Sequence, residues 1–557
     1  MKMNQPIKFT SLLLAGLCVV AVAFSQDTTK KKTINITSTF KPVLREGVKI
    51  NFNAAPPAVD SSPPRLVYTI PDQNLLLGYQ PVPLNPVALN IDSVNAWQYS
   101  NYIKVGLGNV HIPYVQAGFS FGDGRRSFFN VFAKEYTSKG SLPFQKNNHT
   151  DVSAAGTIKT TSNLEWNGNI GFKVEDYFFY GYSPNTLSFT KDQLKQQFQT
   201  YEAKLSLRNL VPTEFGLTYN PNIKVDVFNV KNAMTKGTET NTLLNLPLTK
   251  TIGRFFGINL GATADLTNYR PSGNNGKSTV QNNLYYVSPS IQLKTPNVYI
   301  NGGVIPSWDN KAFTLLPNIM ADITTNDQRF TVQLGWIGYY NKGSYQRFAS
   351  INPWIAEPSM FLNTRVQERY AGFKGSILDH LNYSAKVGFV KYTNMPLFVN
   401  DTADGKTFNT IYSSSLEAVQ FHGEIGWTQG EDFNWTTGIT WNQYSKIKDQ
   451  TRAYGLMPLE LNSNLRVRVI KDLYLKADLF VFDGANYLAH ESPGNFVATK
   501  GQGAFDLNAG MEFKITKALN LWFQMNNLFN SKYARWNQYQ VYGFNFLGGI
   551  VFSFNQK

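Results

Sequence analysis

From about Ser100 to Phe554, apolar and polar residues alternate for about ten residues at a stretch, again and again along the chain. In Phe433–Asn442 one face carries Phe433, Trp435, Ile439 and Trp441, while the other carries Asn434, Thr436, Gly438, Thr440 and Asn442. Phe505–Lys514 and Leu473–Phe482 repeat the pattern, and Ile103–Leu107, Phe330–Trp336 and Tyr542–Phe554 show it again. Successive side chains of a strand point to opposite faces, so a period of two means strands with one apolar face. Strands of soluble sheets average about five or six residues, whereas about ten are needed to cross a bilayer at a tilt. Many of these runs also end in Tyr, Trp or Phe, the side chains of interfacial girdles. Hydrocarbon tolerates no open sheet edge, so such strands must close on themselves. The expected fold is all-β, a transmembrane antiparallel up-and-down β-barrel with an extended N-terminal segment.

Composition agrees. Charged residues make up 16% of the chain and aromatic residues 14%, and the mean hydropathy is −0.27. A soluble domain carries about 25% charged residues, and a disordered chain few aromatics. A bundle of membrane helices would need repeated apolar runs of about 20 residues, and none follows the N-terminus. Helix-period segments are scarce, with Lys191–Gln199 the one short helix expected, in a loop.

The N-terminus indicates the compartment. Lys2 and Lys8 precede an apolar run from Leu12 to Phe24 that exits through Ala23-Phe24-Ser25. This reads as a secretory signal peptide over residues 1–25, too short to span. Cys18 lies inside the run and is the single cysteine, so cleavage leaves a mature chain without disulfides or cysteine metal sites. Loss of the two lysines takes the formal charge from +15 to +13. Residues 26–97 open with Lys30-Lys31-Lys32 and hold nine prolines. Proline removes ladder donors and favours extended backbone, so this stretch is read as a Pro-rich N-terminal segment rather than a folded domain. It is either a periplasmic spacer or a segment that threads the barrel formed by residues 98–557.

Short links fall near Gly122–Arg125, Thr161–Asn163, Leu210–Glu214, Lys250–Arg254, Thr295–Asn297, Thr324–Arg329, Asp379–Leu381, Gly430–Asp432, Lys471–Asp472 and Thr516–Ala518. Outer-membrane barrels keep short turns in the periplasm and longer loops outside. Ten such turns with both termini periplasmic imply about 22 strands, with 16–22 the range that boundary errors allow. A barrel this wide has a lumen that is an open channel or is filled.

The C-terminus reads LNLWFQMNNLFN over Leu519–Asn530, then Ser531-Lys532-Tyr533, and closes on YGFNFLGGIVFSF. Asn527, Leu528, Phe529, Asn530 and Tyr533 resemble the N-L-F-N/D-x-x-Y element of TonB-dependent receptor barrels. Phe552 and Phe554 are similar to the terminal aromatic signal read by the barrel-assembly machinery, although Asn555-Gln556-Lys557 follow it. The resemblance implies an outer-membrane barrel of a Gram-negative bacterium that takes part in solute transport or binding. Receptors of that family carry a globular N-terminal plug, whereas here only residues 26–97 precede the first strand. The likeness is therefore to plug-less relatives, and TonB as a partner stays open. A non-conducting structural or accessory subunit of a larger outer-membrane assembly is the alternative.

No enzyme is expected. His111, His149, His380, His422 and His490 are scattered, and no H-E-x-x-H, G-x-S-x-G or phosphate-loop pattern occurs. No catalytic residue, metal or cofactor is assigned. If the Phe, Leu and Val positions face lipid, Lys104, Arg466, Arg468, Lys476, Asp478, Asp506, Glu512 and Lys514 point into the lumen. They form either a salt-bridged ladder or a basic wall that favours anionic solutes. The partners expected are outer-membrane lipid and lipopolysaccharide, the assembly machinery and other outer-membrane proteins, with nucleic acid excluded by compartment.

Overall fold

The computed structural model describes residues 100–555 except 184–185, 273–277, 379 and 493–494. The divisions at residues 1–25 and 26–97 lie outside the described residues. One antiparallel sheet takes up most of the rest. It comprises 23 stretches, of which Leu217–Tyr219 and Asn222–Asn232 are halves of one strand, since both pair with Lys236–Ile252. Pro221 lies at the break, where it has no N–H to give the ladder. The sheet is thus a 22-strand barrel. It closes where the first strand, Ser100–Gly108, pairs with the last, Asn545–Asn555, from Ser100 opposite Asn555 to Gly108 opposite Leu547.

Each strand joins the next in sequence, alternately at two rims. At one rim the connections are tight, as at 160–163, 253–255, 295–297 and 471–472, and all ten short links anticipated above fall there. Left-handed backbone makes several of these turns possible: Asn163, Gly253, Gly430 and Asp472 have φ between 56° and 69°. At the other rim the connections lengthen to 342–363, 394–415, 446–458, 483–503 and 527–544. Three of these contain hairpins of their own, Met395–Asn400 with Phe408–Ser413, Asn486–Ser492 with Asn495–Lys500, and the small Ala534–Trp536 with Tyr539–Gln540.

Two local differences from the sequence reading concern helices. The helix at Lys191 stops at Leu194, and Lys195–Asn209 is a strand. Its buried Leu194, Gln196 and Phe198 alternate with less buried neighbours, a period of two that the polar composition of the stretch conceals. A second helix, Tyr345–Ile351, forms in the 342–363 loop and had no sequence counterpart.

The outward face is continuously apolar: Ile103, Val105 and Leu107 on the first strand are exposed, as are Leu244, Leu246 and Leu248 or Phe330, Val332, Leu334 and Trp336 further round. A wall this apolar on the outside and polar within is the pattern of a barrel solvated by lipid. Leu334 lies on that face, while adjacent Gln333 donates inward to Asp322 Oδ2 at 3.1 Å. Leu334→Arg should cost roughly 2–4 kcal/mol if it lies near the bilayer midplane. Gln333→Arg gains a carboxylate partner and should fold normally. Heat-modifiable migration on gels checks this, with the folded band lost for Leu334→Arg alone.

Candidate functional site

The long connections fold over the mouth of the barrel and pack on one another. Loop 342–363 is anchored first. Lys342 Nζ donates to the carbonyls of Asp265 and Asn282 at 2.6 Å each and lies 3.5 Å from the Asp265 carboxylate. Ser344 Oγ accepts from Arg347 N and caps the helix Tyr345–Ile351. The wall supplies a second cap: Glu239 Oε2 accepts from Tyr345 N at 2.6 Å and Oε1 from Gln346 N at 3.0 Å. A carboxylate suits the unsatisfied N–H groups and positive end of a helix. Glu239 is fully buried, and these hydrogen bonds compensate for the loss of water.

The helix then buries Tyr345 and Phe348. Their rings contact Phe228 and Tyr269 on the wall, Phe361 later in the same loop, and Phe398 in the next. Tyr269 in turn donates to Glu357 Oε1 at 2.8 Å. Trp354 joins three connections. Its ring stacks on Tyr539 with centroids 3.9 Å apart, and its Nε1 donates to Phe178 O at 3.1 Å. Beside it Phe408 N donates to Trp354 O and Ala356 N to Phe408 O, a short ladder between two loops. Loop 446–458 is held from loop 527–544, where Arg535 Nη2 donates to Gly455 O at 2.9 Å. Gly455 has φ +75°, and a Cβ there would come within 3.0 Å of the Trp536 ring, so glycine is required twice over. A second apolar cluster ties Leu397, Ala453, Tyr454 and Leu456 of these loops to Val366, Val390 and Leu416 of the wall. The result is a cap with a core of its own at the loop rim.

Below the cap, charges on the inner wall mostly pair across strands. Lys374 lies 3.3 Å from Asp322, Lys386 2.7 Å from Glu368 and Lys224 2.9 Å from Glu202, while Lys173 pairs along its own strand with Glu175 at 2.9 Å. Of the residues singled out from sequence, Lys476 and Glu512 form such a pair at 2.5 Å. Arg466 stands opposite Lys476, lies 4.0 Å over the Tyr474 ring and donates to Glu431 O. Trp522 stands opposite Glu512. Over it, at 3.9 Å, sits the ammonium group of Lys104, which is 2% exposed and forms no ion pair among the described residues. Lys104, Arg466, Lys476 and Glu512 therefore share one patch with Trp522 and Tyr474. Lys514 stands beside this patch opposite Asn520, and Asp478 stands between Asn464 and Asn508. Arg468 and Asp506 lie apart from it. Arg468 is exposed at the short-turn rim, 2.6 Å from Asp432, while Asp506 accepts from Tyr533 at 2.5 Å near the loops. A further lysine that sequence reasoning passed over, Lys134, lies 5.2 Å over Tyr136 and 5.9 Å over Tyr114.

The C-terminal element is a built turn. Asn527, with φ 49°, donates through Nδ2 to Ser531 O and Tyr542 O and accepts from Ser531 N. Leu528 N donates to Leu507 O, and Asn530 Oδ1 accepts from Phe544 N. Phe529 packs on Phe505, and Tyr533 packs on Phe482. Phe552 and Phe554 are exposed on the outward face with ring centroids 5.8 Å apart.

The fold is a wide closed antiparallel barrel whose mouth is covered by its own loops. Known structures share this fold. The siderophore receptor PirA from Pseudomonas aeruginosa superposes with a TM-score of 0.58 at 11% identity, covering 82% of this chain and 80% of that one. The FrpB iron transporter from Neisseria meningitidis gives 0.63 at 9% identity over 82% of each chain. A mutant of the ferric enterobactin receptor PfeA from Pseudomonas aeruginosa, in complex with enterobactin, gives 0.64 at 11% identity over 83% of this chain and 82% of that one. No protein-family model and no curated protein sequence matches the chain.

Trp354 is the residue on which the cap should depend. Trp354→Ala removes a ring stack and a hydrogen bond, and truncations of this kind cost about 3–5 kcal/mol in well-packed cores. Hydrogen exchange should accelerate at the amides of 345–351 and 534–540, while the barrel strands keep their protection.

Proposed function

We propose that this barrel lies in the outer membrane of a Gram-negative bacterium and takes part in binding or passing a solute, with the loop cap as its gate. The observation that carries the reading is the cap itself: a separate packed layer over a polar, charged lumen. A barrel serving only as a scaffold has no use for a mouth closed by contacts that loops can break and remake. The structural neighbours named as receptors and as an iron transporter support a transport role, and leave the substrate of this chain unassigned. The short turns and both termini are periplasmic on this reading, and the loops are extracellular. Residues 1–25 are the signal peptide, 26–97 the extended segment and 98–557 the barrel. The outward Phe552 and Phe554 suit recognition by the assembly machinery, and the exposed rim suits lipopolysaccharide. The inner wall acts chiefly as a salt-bridged ladder, with Lys104 as surplus positive charge. No catalytic step is assigned.

Two experiments test this. Purified barrel in a planar bilayer should conduct little, and Trp354→Ala should raise the conductance at least severalfold by loosening the cap. Silence from both proteins favours the accessory role. Orientation is read separately, in a mature chain free of cysteine. Ser359→Cys, exposed in loop 342–363, should react with an impermeant maleimide on intact cells. Ser162→Cys, exposed in a short turn, should react only after the outer membrane is opened. The reverse pattern would overturn the assigned topology.

A further inference from the structure

We propose that the outward face near the short-turn rim holds a site for one anionic phospholipid, its acyl chain in an apolar groove and its phosphate on Arg125 and Arg126. The groove crosses five consecutive strands, from Ser127–Lys139 to Asn222–Asn232, and has a volume of about 650 Å³. That volume lies within the roughly 300–1,000 Å³ typical of ligand sites. It exists because the outward row is depleted of side chain at one spot. Gly156 and Gly168 stand directly opposite one another, and Ala154 and Ala203 both stand opposite Ile170. Phe129 leans over Gly156, where a Cβ would come within 2.7 Å of its ring, while a Cβ on Gly168 would meet nothing within 4 Å. The floor is therefore backbone and methyl groups, and the walls are aromatic and branched side chains.

The groove is polar at neither side, but its rim end leads to charge. Trp166 stands opposite Ile158, and Ile158 opposite Ser127. Lys159 N donates to Arg126 O at 2.7 Å, which puts turn 123–126 immediately past the groove. Within that turn Asp123 Oδ1 accepts from the backbone N–H groups of Arg125, Arg126 and Ser127 at 3.0, 2.8 and 2.7 Å. These bonds, the one from Ser127 foremost, hold the Asp123 carboxyl down to about 2 and fix the turn that presents the two arginines. Both arginines are exposed, and neither has an acidic side-chain partner among the described residues. Two arginines elsewhere at this rim do: Arg208 lies 2.7 Å from Glu165 and Arg468 2.6 Å from Asp432. Guanidinium groups bind phosphate oxygens in pairs, and they do so best where no carboxylate competes. Any lipid belt would wet the outward face. What distinguishes this place is a stretch of wall depleted of side chain with uncommitted positive charge past its rim end.

The choice of phospholipid over lipid A rests on the orientation proposed above, which puts this rim in the periplasmic leaflet. The test separates the two. The full-length mature barrel is placed in nanodiscs of phosphatidylethanolamine containing a small fraction of phosphatidylglycerol, transferred to mild detergent, and its retained lipid counted by native mass spectrometry. Wild type should keep one phosphatidylglycerol. Arg125→Gln with Arg126→Gln should lower that bound fraction about tenfold, as expected for loss of charge-assisted hydrogen bonds. Gly168→Leu fills open space without a clash and should abolish retention in a fully folded barrel. Arg329→Gln, in a different short turn, should change nothing. Retention insensitive to these substitutions, equal retention of phosphatidylethanolamine, or lipid A as the species carried from cells would each overturn the proposal. Labelling at Ser162 reports the orientation independently, so a wrong topology and a wrong site give different results.

Discussion

Closure is the constraint on which the rest of this structure depends. In hydrocarbon an unpaired N–H or C=O costs several kcal/mol, and a flat sheet of long strands would leave two full edges of them. Pairing Ser100–Gly108 with Asn545–Asn555 removes both edges at once and brings together the ends of a chain segment more than 400 residues long. Everything between must then arrive in order, each strand beside its sequence neighbours, which is why tight turns at one rim recur so regularly. Gly106 and Gly549 meet at this seam, where a Cβ on Gly549 would come within 2.7 Å of Gly106 Cα. The closing pair is therefore built for close backbone approach under the indole of Trp522.

Closure with so many strands creates the second problem, a lumen too wide for wall side chains to fill. The loops answer it at one end. Their packing is not incidental surface contact, because the anchors come from the wall: Glu239 caps the helix of loop 342–363, Asp265 holds Lys342, and Tyr269 reaches Glu357. Each is the inward residue of a strand close to the loop rim. Cap and barrel are thereby coupled through a few polar contacts around an aromatic core.

How much of this was legible beforehand follows from where the information is local. Strand positions and turns were, because alternation such as Phe433 to Asn442 and left-handed residues such as Asn163 or Asp472 act within a few residues. The barrel and its strand number followed from counting turns. The cap was not legible. Its core joins Tyr345, Trp354, Phe408 and Tyr539, which are separated by up to almost 200 residues and show no shared period. The helix at Tyr345 depends on Glu239, about a hundred residues upstream, for its capping acceptors. Lys195–Asn209 was obscured for a related reason: near the loops its start is polar on both faces, Gln196 on one and Lys195, Gln197 and Gln199 on the face shared with Tyr201 and Leu205, so the contrast on which alternation is read disappears.

Charge on the inner wall follows the same division. A lysine that can reach a carboxylate on the neighbouring strand is paired across the sheet, as Lys476 is with Glu512, which stands diagonally to it, opposite Tyr474. Lys104 stands between Gln116 and Val551 in register, so no carboxylate lies directly beside it, and the ammonium group takes the face of Trp522 instead. A cation over an indole keeps its charge unneutralised, unlike one in an ion pair. The surplus of bases over acids in the composition is thus not spread evenly round the lumen. On the first strands it is focused at Lys104, next to the seam and beneath loop 527–544, where the wall is lined by Tyr102, Tyr114 and Tyr136, whereas Lys134 has Asp151 directly opposite it.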